Sequence, residues 1–283
     1  AMREDLSLRV GVVGLGLIGG SMAKAFHEYT NCSVLGYDSN PAVLEAAEAC
    51  GAIDRAGGWE DLARLDLLIL AIYPQAAVDF IREHGTQIPR SCLVTDTCGI
   101  KTQVCAELSA LAKEFGFRFV GSHPMAGREK VGFAASEASL FRGASYLITP
   151  CGASDEDVAL LERTAEALGF GRCVVTTPEK HDRMIAFTSQ VPHALACAYV
   201  LSPQCPDHKG FSAGSYRDVS RVANINETLW TELFLSNAGP LTAELDTLIE
   251  NLSAVRDAIH DGDAQRLSSL LRQGRLVKES LGE

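Results

Sequence analysis

Two groups of residues in this chain have types and spacing suited to reaction chemistry. In VGVVGLGLIGGSMAKAF, Gly14, Gly16 and Gly19 stand in GxGxxG spacing between a β-branched run and a helix-forming run. The first glycine permits a tight turn, the second lets backbone approach a pyrophosphate, and the third allows close helix-to-strand contact. The residues that follow, among them Leu17 and Ile18, would open a helix whose free amides and positive end attract phosphate. The next apolar run, VLGYD, ends in Asp38, where dinucleotide sites place an acid for ribose hydroxyls. A carboxylate there repels a 2′-phosphate, so the pattern predicts NAD as cofactor rather than NADP.

The second group centres on GSHPMAG, residues 121 to 127. Proline pushes the residue before it toward extended geometry, which predicts that His123 lies on a loop at the end of a strand. Open α/β sheets keep their chemistry at such ends. A neutral imidazole there can accept the proton of a substrate hydroxyl. Three further runs stand out: VTDTCGIK (94 to 101), KHDRMIAFTSQVPHAL (180 to 195) and GSYRDVSRVANINETLW (214 to 230). In the last, Arg217 and Arg221 are four apart and would share a helix face. A guanidinium fork can grip a carboxylate through two bonds at once, although Arg217 can equally be a structural ion-pair partner.

The elements that must position these groups follow from periodicity. Short β-branched runs at 10–13, 34–37, 67–71, 93–95, 119–120, 146–148 and 174–175 alternate with stretches of helical period. That alternation predicts a mainly parallel sheet wrapped by helices. After Val175 the strands stop, and Thr177, Pro178 and Glu179 read as a helix start, with a capping hydroxyl, a first-turn proline and an acid. One helix is expected from Pro178 to about Leu201, with others around 219–223, 229–252 and 264–281. The fold class is therefore an α/β N-terminal Rossmann-type dinucleotide-binding domain over residues 1–175, followed by an all-α C-terminal domain over 176–283.

Composition narrows the function. With 283 residues, 47% of them hydrophobic, and a net charge of −11, the chain can build a large core and lacks the clustered cations of a nucleic-acid binder. Nine cysteines are an odd number without a CxxC pair, which predicts reduced thiols and a cytoplasmic protein. Neither that spacing nor HExxH supports a metal site. No apolar run is long enough to span a bilayer, so no membrane partner is expected. The apolar content of 229–252 and 267–281 exceeds what a cover over one sheet face needs, and predicts a two-fold dimer through the helical domain.

Taken in order, the four runs resemble the prephenate dehydrogenase family, along nearly the whole chain. The resemblance implies NAD-dependent oxidative decarboxylation of prephenate to 4-hydroxyphenylpyruvate, a step of tyrosine biosynthesis, with a homodimer joined through the helical region. By motif, His123 matches the family's catalytic histidine and Arg221 the residue that holds the ring carboxylate. His193 matches the histidine that contacts the pyruvyl side chain and so favours prephenate over arogenate. Glu129, Asp182 and Trp230 fall at gating or pocket-lining positions, and Asp218 is read as orienting Arg221. One departure stands in the substrate pocket: relatives carry D-x-x-S-x-K, whereas here the stretch runs from Asp96 to Lys101 with Gly99 in place of the serine. Thr97, Thr102, a backbone amide or water could substitute. Two other readings remain open at this point, another NAD-dependent hydroxyacid dehydrogenase with Rossmann and helical halves, and a dinucleotide sensor without catalysis.

Overall fold

Strands rich in Val, Ile and Leu without polar alternation are the kind that parallel sheets bury on both faces, and that is how they are used. The computed structural model describes residues 4–283. Strands β1 (Arg9–Val13), β2 (Ser33–Tyr37), β3 (Arg55–Ala56), β4 (Leu67–Leu70), β5 (Leu93–Asp96) and β6 (Arg118–Phe119) form one sheet in the order β3-β2-β1-β4-β5-β6. All five pairings are parallel. Helices α1 (Leu17–Tyr29), α2 (Pro41–Ala49), α3 (Pro74–His84) and α4 (Thr102–Phe115) cover it. The chain runs outward from β1 to β3 and then returns to place β4 beside β1. That reversal opens a crevice at the carboxyl ends of β1 and β4, the usual ligand position in such sheets.

Beyond β6 the chain changes sheets. Strands β7 (Gly121–Pro124), β8 (Ser145–Thr149) and β9 (Arg172–Val175), with α5 (Asp155–Ala167) between β8 and β9, make a second, three-stranded sheet. In it β7 is antiparallel to β8, and β8 parallel to β9. Two expectations are corrected here. Residues 119–120 are not one strand but the junction between β6 and β7. His123 is not on a loop; it lies within β7, opposite Leu147. Extended geometry before proline suits a strand as well as a loop, and β7 is an edge, where proline's missing N–H costs no ladder bond.

The helical half comprises α6 (Pro178–Ile185), α7 (Val191–Tyr199), α8 (Gly214–Ser220), α9 (Glu227–Ser236), α10 (Ala238–His260) and α11 (Ala264–Ser280). Thr177 caps α6 as its sequence predicts, its side chain accepting from the Lys180 amide. The single helix expected to run to Leu201 is divided by a π-turn over Ala186–Gln190. Pro192 explains it: the ring has no N–H to donate and crowds the carbonyl four residues back, so the turn widens. The helix expected over 229–252 breaks at Asn237, a buried residue whose Nδ2 donates to Asp182 O at 2.9 Å and Gln190 Oε1 at 2.7 Å.

Helix α9 joins the halves. Leu233 is 7% exposed and belongs to the same core as Cys98 and Ile100. Truncating such a leucine to alanine typically costs about 2–5 kcal/mol. Polar links flank it, with the Gln75 amide donating to Glu232 Oε1 and Asn226 Nδ2 to Tyr73 Oη, both at 2.7 Å. Among the described residues no helix is long and apolar enough to cross a membrane.

Candidate active site

The glycine loop sits at the sheet's reversal point. Gly14 adopts φ +87°, and a Cβ there would strike the Ala71 carbonyl, so the turn demands glycine. A Cβ on Gly19 would collide with the Gly14 carbonyl. On Gly16 it would meet nothing within 4 Å, which leaves the backbone open on its outer side. Gly16 caps α1 without a side-chain hydrogen bond, and Gly16, Leu17 and Ile18 are half-exposed. Amides without a side-chain cap at the start of a long helix, faced by open space, are a cradle for a pyrophosphate. Asp38 is held at its edge: its Oδ2 accepts from the Leu15 amide and its Oδ1 from the Asn40 amide, both at 2.9 Å. These residues fit a dinucleotide.

A cluster of titratable side chains is built from β7 and α6. His123 Nδ1 lies 2.8 Å from His181 Nε2, and His181 Nδ1 lies 2.7 Å from Asp182 Oδ1. Asp182, on a pocket wall in the sequence reading, is instead 3% exposed and serves as an anchor. Its carboxylate accepts from the Lys101 amide at 2.8 Å and the Thr102 amide at 2.9 Å. Those amides begin α4, which has no cap from its own side chains, so α6 supplies the cap across space.

Protonation follows from these contacts. Burial favours a protonated Asp182, but hydrogen bonds from His181, Thr102 and Lys101 outweigh it and keep the carboxyl below its ordinary range. An ionised Asp182 only accepts, so His181 Nδ1 carries a hydrogen. Burial, together with the Lys101 charge, lowers the His181 pKa despite Asp182. A neutral His181 therefore offers a lone pair at Nε2, and His123 donates to it from Nδ1. Burial first, then His181 and Lys101, depress the His123 pKa well below 6.5. The remaining nitrogen, His123 Nε2, is left as an acceptor with no hydrogen-bond partner among the described residues. It faces Gly99: a Cβ placed there would lie 3.7 Å from it and 3.6 Å from the Leu233 methyls.

The other expected residues gather on the helical side. His193, on α7, stacks on Trp230 of α9 with ring centroids 3.8 Å apart, and its Nδ1 donates to the Ser189 carbonyl at 2.7 Å. Burial lowers its pKa, with Arg221 adding to the effect. Arg221 Nη1 donates to Glu129 Oε1 at 2.8 Å, with side chains 62% and 45% exposed. Asp218 is exposed on α8 and no hydrogen bond among the described residues joins it to Arg221. The partner that the structure gives Arg221 is Glu129, although the Arg221 amide still donates to the Arg217 carbonyl at the end of α8. His181 is the residue the motif reading left out. Its signal was the HD pair in KHDRM, which places an imidazole beside a carboxylate.

The comparisons with known proteins agree along the chain. The family model for the prephenate dehydrogenase nucleotide-binding domain matches residues 22–175, and that for the prephenate dehydrogenase dimerization domain matches 177–273. A prephenate dehydrogenase of Bacillus subtilis is 28% identical over 279 residues, covering 95% of this chain and 75% of its own. A cyclohexadienyl dehydrogenase of Zymomonas mobilis is 29% identical over 283 residues, covering 96% and 95%. Among solved structures, prephenate dehydrogenase from A. aeolicus, in complex with hydroxyphenyl propionate and NAD+, superposes with a TM-score of 0.85. It is 26% identical, with 98% of this chain and 100% of that one covered. Synechocystis arogenate dehydrogenase gives 0.81 at 25% identity, with the same coverage.

Proposed function

This chain belongs to the prephenate dehydrogenase family, and from that premise we propose that it oxidatively decarboxylates prephenate to 4-hydroxyphenylpyruvate with NAD as oxidant. The observation that carries the reading is the bare Nε2 of His123, aimed at Gly99 and backed by His181 and Asp182. Gly14, Gly16, Leu17, Ile18 and Gly19 would hold the dinucleotide's phosphates and Asp38 its ribose. Bound NAD would supply the acceptor for the hydrogen on the ring carbon. His123 Nε2 accepts the hydrogen bond, and then the proton, of the ring hydroxyl as positive charge develops on that carbon. The bond to the ring carboxylate then breaks, CO2 leaves, its electron pair makes the ring aromatic, and the phenolate oxygen takes its proton back from the His123 imidazolium.

Arg221 takes the ring carboxylate in this reading, exchanging Glu129 for it. An exposed pair of this kind is worth little, about 0–1 kcal/mol, so the exchange costs the enzyme little. His193 and Trp230 face the side chain. A pyruvyl carboxylate arriving at His193 Nε2 favours the imidazolium, which then donates to it.

One observation favours arogenate as a second reading. With Nδ1–H committed to Ser189, a neutral His193 presents a lone pair, which suits an ammonium better than a keto group. Comparing kcat/KM for the two substrates by reduced-cofactor absorbance tests both; a silent enzyme with either substrate rejects the dehydrogenase assignment. We assign the unit to a homodimer through the helical half, where Leu235, Ile249, Leu252, Ile259 and Val277 are all more than half exposed. Light scattering at the monomer mass would reject that. All nine cysteines are free thiols, which fits a cytoplasmic enzyme.

A further inference from the structure

Lys101 is completely buried, as is its partner Asp96, and their ion pair has no solvent contact. Such a pair is expensive to build, because desolvation of both charges can exceed their attraction. Replacement by apolar groups of similar volume would often serve stability as well, so stability alone does not account for the pair. The connections of the two residues supply a further use. Asp96 Oδ2 takes the Lys101 ammonium and the Cys98 amide, while its Oδ1 accepts from the Ser122 amide at 3.2 Å, one residue before His123. The Lys101 amide meanwhile donates to Asp182, which holds His181, which holds His123. The hydrogen bonds thus close a ring through β5, α4, α6 and β7, and Lys101 enters it twice.

We propose that Lys101 is the positioning residue of this site: through its amide it seats the far end of the histidine pair, and through Asp96 it seats the strand that carries His123. Its charge has a second consequence. A buried cation beside two neutral imidazoles opposes a second positive charge, and Lys101 lowers the proton affinity of both His123 and His181. The ammonium itself stays charged, since burial would lower its pKa but Asp96 more than reverses that. The other titratable groups in the surroundings of this pair are Cys98, Cys105, Tyr146, Glu232 and Asp182. Burial raises Cys98 well above its ordinary value and, with its Ser122 and Thr95 contacts opposing, puts Tyr146 at about 12, so both stay uncharged. Cys105 is likewise pushed up, by its contact with Cys151 and by burial.

The test compares Lys101→Met with the double variant Asp96→Asn/Lys101→Met, which leaves no unpaired buried charge and so preserves the fold where the single variant does not. The readout is the proton titration of the His123 and His181 rings by NMR in the free protein, with kcat/KM against pH alongside. Loss of the cation is expected to move the His123 titration, and with it the acid limb of the rate, upward by about one pH unit, and the His181 titration by less. Turnover should fall about 10-fold to 100-fold as the ring loosens, with the KM for NAD unchanged. His123 is the decisive ring, because the Asp96 charge lost in the double variant itself raised His181 and offsets part of the change there; a His123 titration at the wild-type midpoint in the folded double variant would overturn the proposal. The kinetic arm rests on the dehydrogenase reading; the NMR arm does not. A wild-type protein inactive toward both substrates would sink that reading while leaving Lys101 to be judged on its titration.

Discussion

His123 Nδ1 and His181 Nε2 are 2.8 Å apart, and the single proton between them belongs to His123 because Asp182 claims the one His181 carries. The order of three side chains therefore decides which nitrogen of His123 is left to face Gly99. A lone imidazole has two tautomers to choose from; this one is held to the one with Nε2 free.

The rate should rise with pH through the His123 ionisation. Since burial depresses that pKa well below 6.5, kcat/KM is expected to be flat at neutrality and to fall only in acid, where the imidazolium cannot accept a proton. His123→Asn should lower kcat by about 100-fold or more. A pH–rate profile with its acid limb above neutrality contradicts the assignment.

Asp182→Asn removes the ionised acceptor. His181 loses its tautomer, and its Nε2 can then turn donor toward His123. Turnover is expected to drop about 100-fold while the KM for NAD stays within twofold. The buried amides of Lys101 and Thr102 also lose a charged partner, so the melting midpoint should fall by the equivalent of about 1–3 kcal/mol. Steady-state kinetics and thermal melts separate the two effects.

Gly99→Ser puts a hydroxyl next to His123 Nε2 in space that is already there. Its Cβ meets only ordinary contacts at 3.6–3.7 Å. A second hydrogen bond to the reacting hydroxyl, worth about 1 kcal/mol, should raise kcat about fivefold. Gly99→Ala is the control and should change little; equal rates for Ser and Ala would show that the hydroxyl does nothing.

Asp38→Asn keeps the contact to Leu15 through the amide oxygen but removes the charge. The ratio of kcat/KM for NAD over NADP should fall by about 10-fold or more, because the role proposed for Asp38 is repulsion of a 2′-phosphate. An unchanged ratio would place the discriminating group elsewhere.

Prephenate and arogenate should respond differently to pH through His193. Its pKa lies below 6.5, so raising the pH removes the imidazolium that a pyruvyl group needs and keeps the lone pair that an ammonium needs. The KM for prephenate is therefore expected to rise between slightly acid and neutral pH, while that for arogenate stays level or falls. Parallel behaviour of the two would remove His193 from substrate selection.

What this chain's sequence decided by itself is whatever depends on neighbours within a turn or a strand. The Gly14 turn, the helix start at Thr177 and the β-branched runs of the parallel sheet obey short-range sterics and hydrogen bonding, and each is legible in a few consecutive letters. Even the error over His123 was of this kind, since X-Pro geometry is shared by loops and edge strands. The candidate site lies beyond that range. His123 meets His181 across 58 residues and Asp182 meets Lys101 across 81. Arg221 meets Glu129 across 92, while Asp218, three residues away, makes no such contact. Proximity of that sort is set by how two sheets and a kinked helix stack, a property of the packed core that no local period encodes. Thus the residue types were readable, but which nitrogen is bare, which carboxylate is buried and which cation guards the pair were decided only when the chain closed on itself.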